Sequence, residues 1–273
     1  MKDHPDKVIW IVGASSGIGE ELAVEFAKQG HRMILSSRRI EALQAVRERC
    51  IDPSRIRIIP LDLTQNDLGK IAQKAWEAFG SIDMLILNAG IVARDLAVDT
   101  DMVIDRRVME TNFFGPIALT KAILPRMMEL RTGHIVVISS LSGVYGVPRL
   151  SAYAASKHAL HGFFRSLQAE VSRHGIKITM VIPGFISTSI ISKGTDGKGN
   201  TRGTDLTVNE SGMSAQECAR KIVRALRDSP DQVVIGGWET HTVWMYRLFP
   251  RTFRWAMGRN PIRRLRRIFR RDR

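Results

Sequence analysis

The stretch VIWIVGASSGIGEEL, Val8 to Leu22, decides how the chain is read. Five apolar residues run up to Gly13, and Gly17 and Gly19 follow at G-x-x-x-G-x-G spacing before a helical pattern begins. A run this uniformly apolar reads as a strand buried on both faces. Glycines in the turn let backbone pass close to a phosphate, whose charge then meets the N–H groups at the helix N-terminus. Such a turn can also be purely structural. Its place after the first strand of an alternating chain favours the phosphate cradle.

Outward from this stretch the alternation continues. Val8 to Val12, Arg32 to Leu35, Ile56 to Ile59, Met84 to Leu87, Ile135 to Ile138, Ile178 to Ile182 and Val233 to Ile235 read as seven buried strands. Glu20 to Gln29, Ile40 to Arg49, Leu68 to Phe79, Asp101 to Leu130, Ala152 to Arg173 and Ala215 to Arg227 carry helical periodicity. Ser214 followed by Glu217 is a capping-box start for the last helix. The pattern predicts an α/β fold, a Rossmann-type doubly wound seven-stranded parallel sheet with helices on both faces, in a single domain over residues 1–240. Gly115-Pro116 interrupts the helix over 101–130, where proline removes a donor and crowds the preceding turn. Glycines at 194, 197, 199 and 203 sit among polar residues in a connection longer than the architecture needs, and 185–213 reads as a lid over the site.

The chain has 273 residues, 44% apolar and 25% charged, which suits one large soluble domain. Cys50 and Cys218 match no disulfide framework or metal spacing, so no metal is expected and a reducing, cytoplasmic setting is. The N-terminus enters the first strand too soon for a signal peptide or leading anchor, and no apolar run approaches the roughly 20 residues of a spanning helix. The net charge of +14 is uneven: 241–273 carries +10, with eleven arginines, while 1–240 carries +4.

In a dinucleotide fold the end of the second strand separates NAD from NADP, because an acid there binds the ribose hydroxyl whereas arginine pairs with a phosphate. Here Ser36, Ser37, Arg38 and Arg39 precede the first acid, Glu41, which favours NADP(H), although the arginines could also face solvent at a helix start. Asp62 follows the third strand and suits the adenine amino group; Leu63 lies beside it. Asn88, Ala89 and Gly90 put small residues where a cofactor passes, and Asn88 could equally bridge strands. After the fifth strand come Ser139 and Ser140, then Tyr153 and Lys157, one helical turn apart on one face. A phenol near an ammonium is a tuned proton donor. Each of these residues is unremarkable alone.

Order and spacing together resemble the short-chain dehydrogenase/reductase family over residues 7–240. The resemblance rests on GASSGIG, NAG at 88–90, Asn112, Ser140 thirteen residues before Tyr153, YAASK, and PGFIST at 183–188. It implies a catalytic set of Asn112, Ser140, Tyr153 and Lys157, interconverting a carbonyl and a secondary alcohol. Tyr153 would be the acid or base, Ser140 would orient the oxygen, and Lys157 would hold the nicotinamide ribose and lower the Tyr153 pKa. The cofactor would lie along Gly13, Ser15, Ser16, Gly17, Ile18, Gly19, Ser37, Arg38, Asp62, Leu63 and the 88–90 loop. Pro183, Gly184, Ile186 and Thr188 would hold its nicotinamide end. The family pattern implies a homodimer or homotetramer, and attaches a water to the Asn112 main chain. That carbonyl would lose its helical partner because Pro116 has no N–H.

The substrate pocket is read as Ser140, Tyr145, Tyr153, Phe185 and Ile190, with Val144, Val147 and Ile191 nearby; Lys193, Lys198 and Arg202 in the lid could meet an anionic headgroup. In the tail, Trp244, Tyr246, Leu248, Phe249, Phe253, Trp255 and Met257 interleave with Arg247, Arg251 and Arg254. A membrane surface, a subunit interface and a solubilising tail all remain readings of this composition. Nothing in it resembles a base-reading module, so nucleic acid is not expected. A membrane tail would go with a lipophilic carbonyl or alcohol substrate, and the 112–164 region is similar to the membrane-associated lipid-carbonyl reductase branch, such as acyl/alkyl-dihydroxyacetone-phosphate reductases. The alternative is a non-catalytic NADP-binding adaptor.

Overall fold

The computed structural model describes residues 6–201 and 212–258. Seven parallel strands form its sheet: β1 (Val8–Val12), β2 (Arg32–Ser36), β3 (Ile56–Ile58), β4 (Met84–Leu87), β5 (Gly133–Ile138), β6 (Ile176–Pro183) and β9 (Gln232–Ile235), in the order β3-β2-β1-β4-β5-β6-β9. The short strands β7 (Ile186–Ser187) and β8 (Met213–Ser214) pair separately and join the two ends of the lid. Val8, Trp10 and Val12 point to one face and Ile9 and Ile11 to the other, all buried. Burial on both faces explains why the strand shows no polar alternation.

On the first face lie α3 (Leu68–Glu77), α5 (Gly115–Leu130) and α6 (Ser151–Val171), through Ile71, Leu119, Ile123, Leu160 and Phe164. On the second lie α1 (Gly17–Ala27), α2 (Ile40–Arg49) and α7 (Ala215–Leu226), through Leu22, Phe26, Leu43, Cys218 and Ile222. The Ser214 hydroxyl accepts from the Glu217 N–H at 3.1 Å, half of the predicted capping box. Strand order reverses between β1 and β4, and the crevice at their carboxyl ends is the fold's ligand position.

The predicted long helix is three pieces: α4 (Met102–Met109), a π turn at Glu110–Phe114, and α5. The Gly115 N–H donates to the Glu110 carbonyl, the wide spacing of a π turn, and Pro116 falls in the first turn of α5 where its missing donor costs little. A Cβ on Gly115 would lie 2.6 Å from Leu63, so the glycine lets this helix press on the loop after β3.

The first part of the tail packs on the domain. α8 (Thr242–Leu248) and α9 (Pro250–Gly258) fold back on the domain, where Val243 and Phe253 bury against Leu141, Tyr145 and Ile182. Residues 259–273, with most of the arginine cluster, lie outside the described residues. Among those described, no helix is long and apolar enough to cross a membrane.

Candidate active site

Two adjoining cavities occupy the crevice. The first, about 340 Å³, is lined by Gly13, Ser15, Ser16, Gly17 and Ile18 of the glycine-rich turn, by Ser37, Arg38 and Arg39 after β2, by Asp62 and Leu63 after β3, and by Asn88, Ala89 and Gly90 after β4. The turn adopts the backbone that glycine permits: Gly13 has φ +89°, and a Cβ there would fall 2.5 Å from the Ala89 nitrogen. Cations at one end, hydroxyls and a helix N-terminus in the middle, and small residues at the other suit an extended anionic ligand with a pyrophosphate.

The structure adds detail to three of these positions. Gly19 does not line the cavity; a Cβ on it would meet the Gly13 carbonyl at 2.2 Å and the Asn88 amide at 2.5 Å, so it serves close packing of α1. Asn88 bridges as well as lines, donating from Nδ2 to the Gly13 carbonyl at 2.8 Å. Arg39, passed over in favour of Arg38, lies across the turn. Its Nη2 donates to the Ser15 and Ser16 hydroxyls, each at 2.9 Å, whereas exposed Arg38 faces Asp62 at 3.9 Å. The arginine pair was visible in the sequence; which of the two turns back over the loop is a matter of side-chain direction.

The second cavity, about 260 Å³, holds Ser140, Tyr153 and Lys157, with Pro183 at the end of β6 and Gly184, Phe185 and Ile186 after it. Ile18, Gly90, Thr188 and Ile190 border both cavities, so the two adjoin there. Ser140 follows β5 and caps the short 3₁₀ turn Leu141–Gly143, and Tyr153 and Lys157 rise from the first turns of α6. Lys157 is 3% exposed; its ammonium donates to the Ile138 carbonyl at 2.9 Å and stands 5.7 Å from the centre of the Tyr153 ring.

Burial pushes the Lys157 pKa down to about 8. It pushes the Tyr153 phenol up, with a hydrogen bond to Ser140 pulling the other way. Burial is the larger of the two influences on the phenol, and the Ser140 hydrogen bond the smaller. The phenol stays protonated at neutral pH.

Asn112 belongs to the constellation but does not reach either cavity. Fully buried, it accepts from the Ile91 N–H at 2.8 Å, donates to the Ile91 carbonyl at 2.9 Å, and donates to the Ser156 hydroxyl at 3.0 Å. Ser156 in turn donates to the Tyr153 carbonyl at 2.8 Å. Asn112 thus ties the loop after β4 to the helix that carries Tyr153, a positioning role.

Of the expected substrate residues, Ser140, Tyr153, Phe185 and Ile190 line the second cavity, as do Val147 and Ile191. Tyr145 does not. Its ring packs under α9 at 4.8 Å from Phe253, and its hydroxyl pairs with Thr242 at 2.7 Å, because the folded tail covers that side of the loop. Lys198 pairs with Asp101 at 2.7 Å, away from both cavities, Lys193 borders the first, and Arg202 lies outside the described residues. Sequence reasoning missed Arg94, Pro148, Arg149 and Leu150 in the wall of the second cavity, and Met257, whose position in α9 brings it there. No sequence signal placed Met257 in the wall of the cavity that holds Tyr153. The described part of the lid is tied down to the 92–101 segment by backbone bonds from Thr195 to Val92 at 3.1 Å and from Asp101 to Gly197 at 2.9 Å.

A parallel doubly wound sheet with a glycine-rich turn at its switch point and a Ser-Tyr-Lys set beside it defines a dinucleotide-fold oxidoreductase architecture. The family described as short chain dehydrogenase matches residues 7–198, and the chain belongs to the short-chain dehydrogenase/reductase family of oxidoreductases. It is 39% identical over 259 residues to a dehydrogenase/reductase SDR family protein 7-like of Anopheles gambiae, covering 92% of this chain and 82% of that one. To dehydrogenase/reductase SDR family member 7B of Bos taurus it is 42% identical over 238 residues, covering 84% and 73%. Among solved structures, ElxO with NADP bound superposes with TM-score 0.70 at 25% identity, over 84% of this chain and 96% of that one. A Burkholderia phymatum short-chain dehydrogenase/reductase in complex with NAD shares the fold, with TM-score 0.80 at 21% identity, over 90% and 95%.

Proposed function

We propose that the protein is an NADP(H)-dependent oxidoreductase that reduces a lipophilic ketone or aldehyde, or oxidises the matching alcohol. The observation that carries this is the Tyr153, Ser140 and Lys157 set on the wall of a largely apolar cavity that opens into the cavity over the glycine-rich turn. When bound, the nicotinamide supplies the hydride to the carbonyl carbon, or accepts it in reverse. Tyr153, protonated at neutral pH, gives its phenolic proton to the carbonyl oxygen, while the Ser140 hydroxyl donates a hydrogen bond that fixes that oxygen. Lys157, held by the Ile138 carbonyl, is placed to bind ribose hydroxyls and to steady the phenolate left on Tyr153. Arg39 and Arg38, with the Ser15 and Ser37 hydroxyls, favour a phosphate on the adenosine ribose.

Val147, Phe185, Ile191 and Met257 give the cavity its apolar character. On the outer face of α8 and α9, Trp244, Leu248, Phe249 and Trp255 are 59% to 66% exposed, and Arg247, Arg251 and Arg254 lie among them. That composition supports peripheral contact with an anionic membrane surface, from which a lipophilic substrate would come. Exposed Met102, Val103 and Phe114 support self-association through α4 and the π turn. A Ser140, Tyr153 and Lys157 set gathered on one cavity wall has no use in a non-catalytic adaptor, which argues against that alternative. The test is oxidation of NADPH, and separately NADH, against a panel of long-chain ketones and aldehydes, with and without anionic vesicles. Turnover that prefers NADPH and long chains supports the reading; no turnover of any carbonyl with either cofactor overturns it.

A further inference from the structure

Glu239 is 4% exposed, and among the described residues no cationic side chain pairs with it. It sits in a short 3₁₀ turn, Trp238–His241, between β9 and α8. Its Oε1 accepts from the Phe185 N–H at 2.8 Å and from the Gly237 N–H at 2.9 Å. The space it fills is otherwise forbidden to side chains: a Cβ on Gly184 would lie 2.2 Å from Oε1, and one on Gly236 would lie 2.6 Å away. A buried carboxylate satisfied by backbone donors gives strong, geometrically strict bonds, and these hold the chain where it leaves β6 and turns over the second cavity.

Phe185 is gripped from both sides. Its N–H is held by Glu239, and its carbonyl accepts from the Met213 N–H at 2.9 Å, at the far end of the lid. Its side chain and those of Pro183 and Ile186 border the cavity that contains Tyr153. On the other side, the Glu239 carbonyl accepts from the Thr242 hydroxyl, which pairs with Tyr145 in the loop that follows Ser140. One residue therefore connects the loop after β6 to the start of the C-terminal helices.

We infer that Glu239 is a positioning residue for the nicotinamide end of the cofactor, acting through the backbone of Gly184 and Phe185. This rests on the NADP(H) reading above. It makes the first turn after β9 part of the active site, and explains why Gly184 and Gly236 have no side chain.

The test compares full-length wild type, Glu239→Ala and Glu239→Gln for binding of NADPH and of adenosine bisphosphate, the half of the cofactor without nicotinamide. Fluorescence of the bound reduced nicotinamide is read alongside. Glu239→Ala is expected to weaken NADPH by about tenfold or more and to change the bound nicotinamide signal, while adenosine bisphosphate stays within about twofold. Glu239→Gln keeps an oxygen at the same place and should recover most of the NADPH affinity. Should the alanine variant fail to fold, Glu239→Asp, which pulls the acceptor back by one methylene, is expected to show the same selective loss at smaller size. Equal weakening of both ligands, or no change in either, overturns the inference. A wild type that binds adenosine bisphosphate but gains nothing from the nicotinamide overturns the inference but leaves a nucleotide site. A wild type that binds neither ligand overturns the NADP(H) reading itself.

Discussion

The cavity over the glycine-rich turn is bounded by the turns at the ends of β1, β2, β3 and β4, where close backbone and small residues join Arg38, Arg39 and Asp62, with Thr188 and Lys193 at its edge, whereas the cavity over Tyr153 takes its walls from side chains of several separate segments, including Met257 of α9. The first surface follows from the fold, because parallel strands must end there and a glycine turn must follow. The second depends on how the 141–150 loop, the lid and the C-terminal helices close over one another. A change on the backbone side should therefore act on every substrate alike, and a change on the side-chain side should act selectively.

The most damaging way to probe this contrast is Gly13→Val. With φ +89° and the Ala89 nitrogen 2.5 Å from any Cβ, the variant is expected to lose dinucleotide binding beyond detection in a titration, with a lowered Tm. Lys157→Met comes next, with kcat/KM for every carbonyl down by roughly a hundredfold. Lys157 is charged below its pKa of about 8 and neutral above it, so wild-type kcat/KM for reduction should fall as pH rises through about 8. Burial raises the Tyr153 pKa, so the phenol is not the group lost in that range. A flat profile in Lys157→Met, beside a falling one in wild type, checks the assignment.

Smaller effects separate the two cavities. Arg39→Ala removes the guanidinium that bridges Ser15 and Ser16, and NADPH should weaken by about tenfold while NADH changes little. Met257→Trp narrows only the second cavity. Its KM for long-chain carbonyls should rise a few-fold with NADPH affinity unchanged, measured by steady-state kinetics and direct titration.

Legibility in the sequence divides along the same line. The seven strands, the helix starts and the Ser140, Tyr153 and Lys157 set could be read because strict local rules produce them: uniform apolar runs, glycine turns, and a four-residue spacing on one helix face. The tail could be read only as composition. That Phe253 would bury against Tyr145, or that Met257 would border the substrate cavity, depends on the return path of the chain after β9, which no local periodicity encodes. The helix over 101–130 shows the intermediate case. Gly115-Pro116 marked an irregularity correctly, but neither its form, a π turn at Glu110–Phe114, nor the close approach of Gly115 to Leu63 could be read locally.

The central claim is that Tyr153 delivers the proton to a carbonyl oxygen beside a bound nicotinamide. Tyr153→Phe removes one hydroxyl and leaves the ring, so NADPH titration and carbonyl turnover on the same preparation test it most directly. NADPH affinity within about threefold of wild type with kcat reduced by a thousandfold or more is the predicted result. Turnover retained near the wild-type rate, with NADPH still bound, would contradict the account.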